Sequence, residues 1–395
     1  MTRPATEQLF TRQFIALGVS DLAYFTAVGV SIFVLPVYVT GPVGSNEAGA
    51  GFAFGVFTVS ALVLRPFAGR IADVSGRLPL LLGGALIAAA SLALIALVDD
   101  LFTIVVLRLL AGVGEAAFFV AGFAALADLA PPQRLGEALS YNSLGLYLGL
   151  ALGPPLGEVL VQARGFGTAW LGAAALAVLA AALSLLIGET REDTAADATT
   201  EVLPRRIIHR PAIPISVGLL TSLVAIGGFL AFCSLHAVRI GMSQASLALF
   251  VYGGVVVVCR IAFARVPDRL PSLLLGAAAL GVIGAGLALI AAWQAPAGLL
   301  VGVVIMAVGV SFSTPAFFTA IFSTATASQR GAASGTASAA LDLGMGLGPI
   351  GLGLIAGPMG IPWAFGAAAA IAFAGGICTL LLQRRTHQRQ PFGTG

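Results

Sequence analysis

Four ionisable residues interrupt long apolar stretches of this sequence: Asp21, Arg108, Glu115 and Asp342. Charged side chains in such surroundings are energetically costly, and they usually mark functional positions. A carboxylate withdrawn from water favours its neutral form, so it can load and release a proton. Arg108 and Glu115 are seven residues apart, which places them on one helix face about 10 Å apart along the axis. An arginine that moves toward or away from a carboxylate would control its proton, so the four residues are candidates for proton coupling.

A stripe of glycines forms a second pattern: Gly145, Gly149, Gly153 and Gly157 recur at every fourth position, with Pro154 among them. Glycine at this spacing lets two helix backbones approach closely. The proline removes one backbone hydrogen bond and bends the helix. The pattern predicts a bent, smooth-faced helix on which two packed bodies could rock, and static close packing is the alternative.

A third pattern, at residues 65–77, reads R-P-F-A-G-R-I-A-D-V-S-G-R and joins two apolar stretches. Asp73 would end a helix and could face the N-terminus of a neighbouring helix, where the dipole favours an anion. Gly69 shares a helix face with Asp73, Gly76 permits a sharp turn, and Arg77 adds a fixed charge. These four residues are candidates for a conformational latch, with a simple topological anchor as the alternative.

The second and third patterns have counterparts 195 residues later. Arg65, Arg70 and Asp73 recur as Arg260, Arg265 and Asp268; Gly114, Gly149, Gly153 and Pro154 recur as Gly309, Gly344, Gly348 and Pro349. The later copy has Ala264 and Pro271 where the first has Gly69 and Gly76. The chain is therefore predicted to contain two related halves, as many transporters do, with the working latch in the first half.

The elements that position these residues are predicted to be membrane-spanning helices. The chain is 58% hydrophobic and only 9% charged, whereas a soluble domain carries about 25% charged residues. A spanning helix needs about 20 apolar residues, and the runs lack the alternation of a membrane β-barrel. The fold class is all-α, polytopic and membrane-embedded, with twelve apolar runs at 14–39, 50–72, 78–98, 101–126, 136–160, 168–187, 212–238, 245–264, 271–293, 297–323, 331–356 and 362–383.

Arginine placement predicts the orientation of these spans. With both termini in the cytoplasm, fifteen arginines fall inside and only Arg164 and Arg239 fall outside, which is a strong positive-inside bias. The polar stretch 188–211 is predicted to link an N-terminal six-helix bundle, residues 1–187, to a C-terminal bundle with a short cytoplasmic tail, residues 212–395. We expect a multi-pass protein of the inner cell membrane.

Some of the charged residues have structural alternatives in this setting. Arg108 could be a hydrogen-bond hub for irregular backbone, and Asp21 could be partly hydrated near the inner interface. Arg65 and Arg260 lie close to the cytoplasmic boundary and are predicted to anchor their helices by reaching toward water.

The remaining composition argues against enzymatic chemistry. Cys233, Cys259 and Cys378 all lie in apolar runs and are predicted to be buried space-fillers, without disulfide or metal spacing. No nucleophile–base arrangement or phosphate loop is evident, so we expect no enzyme activity, no cofactor, no metal and no nucleic-acid partner.

Three motifs together resemble the signatures of the major facilitator superfamily. G-R-I-A-D-V-S-G-R at 69–77 resembles its loop 2–3 signature, and L-R-L-L-A-G-V-G-E at 107–115 resembles its fourth-helix signature. G-L-A-L-G-P-P-L-G at 149–157 resembles the fifth-helix signature of proton-driven exporters, although Glu158 follows where that signature commonly ends in Gly-Gly. The resemblance covers the whole chain and implies two six-helix bundles with pseudo-twofold symmetry that alternate access to a central cavity.

The resemblance also implies roles for individual residues. Asp73 would latch against the eleventh span, which begins near Gly331, and the first, fourth, seventh and tenth helices would line the cavity. Asp21 and Glu115 would then be cavity residues, and plain packing is the alternative for the aromatic cavity candidates Tyr24, Phe25, Phe118, Phe119, Phe232, Phe317 and Phe318.

The predicted function is proton-coupled export of an amphipathic or drug-like solute by a monomer in contact with lipid. A proton-coupled carrier of a nutrient or metabolite, such as a sugar-like solute, is the alternative, although the spans offer few polar side chains beyond Asn142 and Tyr147. A transporter-fold receptor that no longer transports is disfavoured by the complete latch motif and the buried carboxylates.

Overall fold

The apolar runs form long α-helices in the computed structural model, which describes residues 9–131, 134–191, 209–263, 266–326 and 329–388. The described residues contain no strand, and each of the twelve predicted runs overlaps one helix. Eleven of these helices are long and apolar enough to cross a membrane, and the eighth run corresponds to the 16-residue apolar helix α8. The helices are α1 Arg12–Thr40, α2 Glu47–Ser75, α3 Leu78–Ile95, α4 Leu101–Leu129, α5 Leu135–Arg164, α6 Phe166–Ile187, α7 Ile213–Arg239, α8 Leu247–Ala262, α9 Val266–Arg269, α10 Ser272–Ala292, α11 Pro296–Phe322, α12 Arg330–Met359 and α13 Ile361–Gln388.

The 195-residue repeat is visible in the helices themselves. α5 and α12 are both 30 residues long, and their first and last residues are each 195 apart. The turns that follow them are made by Gly165 and Gly360, whose φ angles are +84° and +94°. Glycine adopts this left-handed conformation without steric strain. The duplication therefore extends to the turn that separates two spans.

Close helix crossings explain why another pair of glycines recurs. A β-carbon on Gly114 would lie 2.6 Å from the carbonyl oxygen of Gly84, and one on Gly309 would lie 2.7 Å from that of Ala279. These contacts join α3 to α4 and α10 to α11 with backbone against backbone. Small residues permit such an approach in membrane helices, where close packing replaces the hydrophobic effect between helices.

The chain divides into two compact units. Unit 1 comprises Met1–Val34 and Ser60–Thr200, and unit 2 comprises Leu35–Val59 and Glu201–Gly395. The break after Thr200 falls within the predicted linker 188–211, of which residues 192–208 lie outside the described part. The segment Leu35–Val59, predicted to belong to the N-terminal bundle, groups with unit 2 instead. The division therefore passes through α1 and α2.

The surface of the helices is strongly apolar, as expected for contact with lipid. Phe102 on α4 and Leu185 on α6 are 78% and 61% exposed, and no soluble setting would favour such a surface. Cys233 and Cys259 are buried as predicted, whereas Cys378 is exposed on α13. The prediction that all three cysteines fill interior space was therefore wrong for Cys378.

Candidate functional site

Asp21 lies in the interior of unit 1, beside a small cavity. Its side chain on α1 is 5% exposed, and Asn142 Nδ2 on α5 donates a 2.7 Å hydrogen bond to its Oδ2. The cavity has a volume of about 40 Å³ and is lined by Asp21, Phe25, Phe119, Gly122, Phe123, Asn142, Ser143 and Leu146. A water molecule needs roughly 10–15 Å³ of such volume, so the cavity has room for two or three waters. It is too small for a drug-sized ligand and well suited to hydrating one carboxylate.

The α5 glycine stripe holds this arrangement together. A β-carbon on Gly145 would lie 3.0 Å from the Gly18 carbonyl oxygen and 3.7 Å from Asp21 Cβ. Further along, a β-carbon on Gly149 would lie 2.7 Å from Thr26 N, and one on Gly153 would lie 2.5 Å from the Thr26 carbonyl oxygen. A β-carbon on Gly157 would contact the Val30 side chain. The stripe therefore packs against α1, and α5 continues as a helix through Pro154. Because Asn142 is one turn from Gly145, this close approach brings its amide within reach of Asp21.

Glu115 forms its ion pair with Arg65 on α2. Arg65 Nη2 lies 3.2 Å from Glu115 Oε1, and the two side chains are 15% and 10% exposed. The guanidinium carbon also lies 4.4 Å from the centre of the Phe119 ring, which is a cation–π contact. The prediction placed Arg65 as an anchor that reaches toward water. The structure differs because the neighbouring α4 supplies both a carboxylate and an aromatic face.

Arg108 has a different neighbourhood from Glu115 although both lie on α4. Its Nη1 donates a 3.2 Å hydrogen bond to Ser31 Oγ on α1, and the residue is 6% exposed. Tyr24 stacks on Phe118 with ring centres 4.1 Å apart and planes at 12°. Its hydroxyl interacts electrostatically with both Glu115 and Arg108. α1 therefore offers a polar group to each of the two α4 residues.

Asp342 lies in unit 2, on α12, and is fully buried. In the same unit, Phe317 packs between α7 and α10, where β-carbons on Gly218 and Gly276 would meet its ring at 2.5 and 3.0 Å. Phe232 is also fully buried, and Phe318 is half-buried with its ring 6.0 Å from Phe322.

Six of the seven aromatic candidates separate into two groups, and the half-buried Phe318 belongs to neither. Phe25 and Phe119 line the Asp21 cavity, with rings 6.4 Å apart and nearly perpendicular. Tyr24, Phe118, Phe232 and Phe317 are at most 1% exposed and do not line that cavity. A role in substrate binding stays a prediction for all seven.

The latch motif is built around a carboxylate that the sequence did not single out. Glu189 follows α6 and accepts hydrogen bonds from the backbone N–H groups of Arg77 and Leu78, at 2.8 and 3.2 Å. It thereby caps the N-terminus of α3, where the helix dipole favours an anion. Partial burial opposes ionisation, but the N–H groups of Arg77, Arg191, Leu78 and Thr190 outweigh it and lower the pKa of Glu189.

Other charged residues extend this cluster. Arg77 Nε lies 3.0 Å from Asp128 Oδ2 at the end of α4, and Thr190 Oγ1 donates to the same oxygen at 2.9 Å. Asp73 is 74% exposed in its side chain and lies 3.9 Å from Arg77 Nη1. Gly69 has open surroundings, with Val120 Cγ1 3.9 Å from its β-carbon position. The motif therefore ties α2, α3, α4 and the segment after α6 together.

In unit 2, the N-terminal half of α2 packs against α12 and α7. Added β-carbons on Gly51 and Gly55 would collide with the carbonyl oxygens of Pro349 and Gly346. Glu47 and Arg239 form an ion pair at the end of the same contact. This backbone-to-backbone contact is the physical reason that residues 35–59 group with the second unit.

Several residues of the site were not singled out by sequence reasoning. The sequence predicts an anchor at Arg65 and a polar group at Asn142, and it gives no prediction for Phe123, Asp128 or Glu189. The available signal for Asn142 was its position one turn before the glycine stripe. Arg65, Asp128 and Glu189 carry no local pattern, because their partners Glu115 and Arg77 are 50 to 112 residues away in sequence. Among the described residues there is no cluster suited to a metal ion.

Comparison with known proteins gives one consistent result. The family model described as Major Facilitator Superfamily matches residues 17–344 and 280–394. An uncharacterized MFS-type transporter from Pseudomonas aeruginosa (strain UCBPP-PA14) is 29% identical over 98% of both chains. One from Salmonella typhimurium is 28% identical over 92% of this chain and 94% of the relative.

Solved structures show the same fold at low identity. A bacterial homologue of the human lysosomal transporter Spinster, in an inward-facing and occupied conformation, has a TM-score of 0.78 at 14% identity, covering 96% of this chain and 98% of the other. A variant of the nucleoside transporter NupG has a TM-score of 0.75 at 14% identity, covering 94% and 99%.

Proposed function

Because this chain belongs to the major facilitator superfamily, and is thus a multi-pass membrane transporter of small molecules rather than an enzyme, we propose that it is a proton-coupled exporter of amphipathic, drug-like solutes. We further propose that it acts as a monomer in the inner membrane with both termini in the cytoplasm. The excess of arginine on one side of the predicted spans supports that orientation.

The observation that carries the proposal is the buried Asp21 carboxylate beside a cavity of water size. Asn142 donates its amide hydrogen to Asp21 Oδ2, which stabilises the ionised acid. A proton delivered through the cavity waters would neutralise the carboxylate and weaken this bond. The α1–α5 contact would then respond to the protonation of one group. Binding and release of a proton at Asp21 would in this way favour different arrangements of the helices.

Glu115 supplies a second group for coupling. Its Oε1 pairs with Arg65, and its buried Oε2 has no hydrogen-bond partner among the described residues. A buried carboxylate with one open oxygen is a site at which a proton or a substrate cation would compete with Arg65. Asp342, fully buried in unit 2, is proposed as a third ionisable group in the cycle.

The latch is proposed to act at the cytoplasmic side. Asp73, in the last turn of α2, presents an exposed carboxylate. This carboxylate would bind the positive N-terminal end of α12, which is the eleventh predicted span, when the cytoplasmic side of the transporter is closed. The fifth-helix signature at 149–157 supports export of an amphipathic solute. The scarcity of amide side chains in the spans argues against a sugar.

Purified protein in liposomes with a pH-sensitive dye inside would test this function. Ethidium, an uncharged amphiphile and a disaccharide would be supplied in turn. We expect ethidium or the amphiphile to drive proton movement in the wild type and not in Asp21→Asn. Glu137→Gln serves as the matched control, because Glu137 is an exposed carboxylate paired with Arg134. Undiminished proton movement in Asp21→Asn, or transport of the disaccharide alone, would contradict the proposal.

A further inference from the structure

Phe119 contacts both the Arg65–Glu115 ion pair and the Asp21 cavity. It lies one turn after Glu115 on α4, and its ring faces the Arg65 guanidinium at 4.4 Å. The same side chain lines the Asp21 cavity, where its ring centre is 4.7 Å from that of Phe123. Arg65 therefore contacts a carboxylate and an aromatic ring that are four residues apart on one helix face.

These two partners respond differently to a proton. Protonation of Glu115 removes the negative charge that faces Arg65, and loss of that charge weakens the electrostatic hold on a cation that is only 15% exposed. The face of an aromatic ring attracts a cation through its quadrupole and does not titrate. Phe119 can therefore retain the guanidinium in both protonation states of Glu115.

The internal repeat shows that the fold does not require this arrangement. Arg260 occupies the position equivalent to Arg65, 195 residues later, but Val310 and Thr314 stand at the positions equivalent to Glu115 and Phe119. The repeat thus keeps the arginine in both halves and has the carboxylate and the ring in only the first. A specific task in the first half is the simplest explanation of the pair.

We propose that Phe119 is a positioning residue, which holds the Arg65 guanidinium when Glu115 is neutralised and so lets Glu115 exchange its proton. This inference rests on the proposed proton coupling. The groups that face Glu115 are Arg65 from α2 and the Tyr24 hydroxyl from α1, and Arg108 acts on that hydroxyl. Without the ring, Arg65 would depend more strongly on ionised Glu115, and protonation would require more acid.

The first test is the pH dependence of ethidium-driven proton movement in liposomes. We expect Phe119→Leu to require an about tenfold higher proton concentration for half-maximal transport, so its midpoint should shift by about one pH unit toward acid. Phe119→Tyr keeps an aromatic face and should retain the wild-type midpoint. Phe102→Leu is the control, since Phe102 also lies on α4 and is 78% exposed, away from the cavity lining. A wild-type midpoint in Phe119→Leu, or an equal shift in Phe102→Leu, would overturn the inference.

A second test is independent of transport. In Glu115→Gln the guanidinium no longer faces an ionised Glu115, so replacing Phe119 by Leu should lower the melting temperature more in that background than in the wild type. Equal losses in the two backgrounds would show that the ring does not support Arg65. If the wild type moves no protons but the melting temperatures differ as expected, the proposed function is rejected. The support of Arg65 by the Phe119 ring is then still shown.

Discussion

Glu189 occupies the space that a β-carbon on Gly76 would need. The carboxyl carbon of Glu189 lies 2.6 Å from that position, and its oxygens accept hydrogen bonds from the first backbone N–H groups of α3. Gly76 also has a φ of +93°, a backbone conformation that residues other than glycine rarely adopt. The glycine of the latch motif is therefore required twice, by its backbone angle and by the carboxylate that caps the next helix.

Replacing Gly76 by alanine should destabilise unit 1. The left-handed backbone alone costs about 1–3 kcal/mol for a residue with a β-carbon, and displacing Glu189 would leave N–H groups of α3 without their partner. Gly69→Ala is the matched control, because its nearest neighbour is 3.9 Å away and the residue is helical. Thermal unfolding in detergent would compare them. Equal melting temperatures for the two variants would contradict this account.

Stability should depend on the ionisation of Glu189. Its folded pKa is lowered below the ordinary value of 4.5 because backbone hydrogen bonds outweigh the effect of burial. The stabilisation is therefore fully present above the unfolded pKa and is lost as the pH falls through the lower folded value. The carboxylate is largely solvent-exposed, so we expect an effect below about 1 kcal/mol.

Glu189→Gln isolates this contribution. Melting temperatures of wild type and variant, measured from pH 7 to pH 3, should differ at neutral pH and converge in acid. A difference that stays constant across the whole range would mean that the charge of Glu189 is not what stabilises the N-terminus of α3.

The contact between α1 and α5 should tolerate no added methyl group at Gly153. A β-carbon there would lie 2.5 Å from both Gly29 Cα and the Thr26 carbonyl oxygen, and overpacking of this kind typically costs about 1–3 kcal/mol. Moving α5 outward would also weaken the hydrogen bond from Asn142 to Asp21. Gly83→Ala in α3 has open space around it and serves as the control. Melting and proton movement should both fall for Gly153→Ala and neither for Gly83→Ala.

The latch proposal leads to a prediction about conformational balance. Asp73→Asn removes the charge that would bind the N-terminal end of α12 while keeping the shape of the side chain. The population with the cytoplasmic side open should therefore increase. Distances between spin labels on the cytoplasmic ends of the two units would report this balance. An unchanged distribution in Asp73→Asn would count against a latch.

The amino-acid sequence by itself determined the class, the spans and the duplication. Apolar length specifies where a helix can cross a membrane, and glycine at a turn specifies where it stops, so both signals are local. Helix ends 195 residues apart in α5 and α12 follow from the repeated pattern. The three family motifs supplied the fold and the transporter class, which the comparisons confirmed.

Only the tertiary structure decided which groups meet. Sequence spacing placed Arg108 near Glu115, yet the ion pair joins Glu115 to Arg65, 50 residues away. The spacing of the glycine stripe predicted a close helix contact, and Gly76 predicted a sharp turn. Nothing in the sequence identified their partners, which are α1 and Glu189. A helix that is apolar all round gives no amphipathic pattern to fix its rotation. Its neighbours are then chosen by shape and by the few polar groups that must be satisfied together.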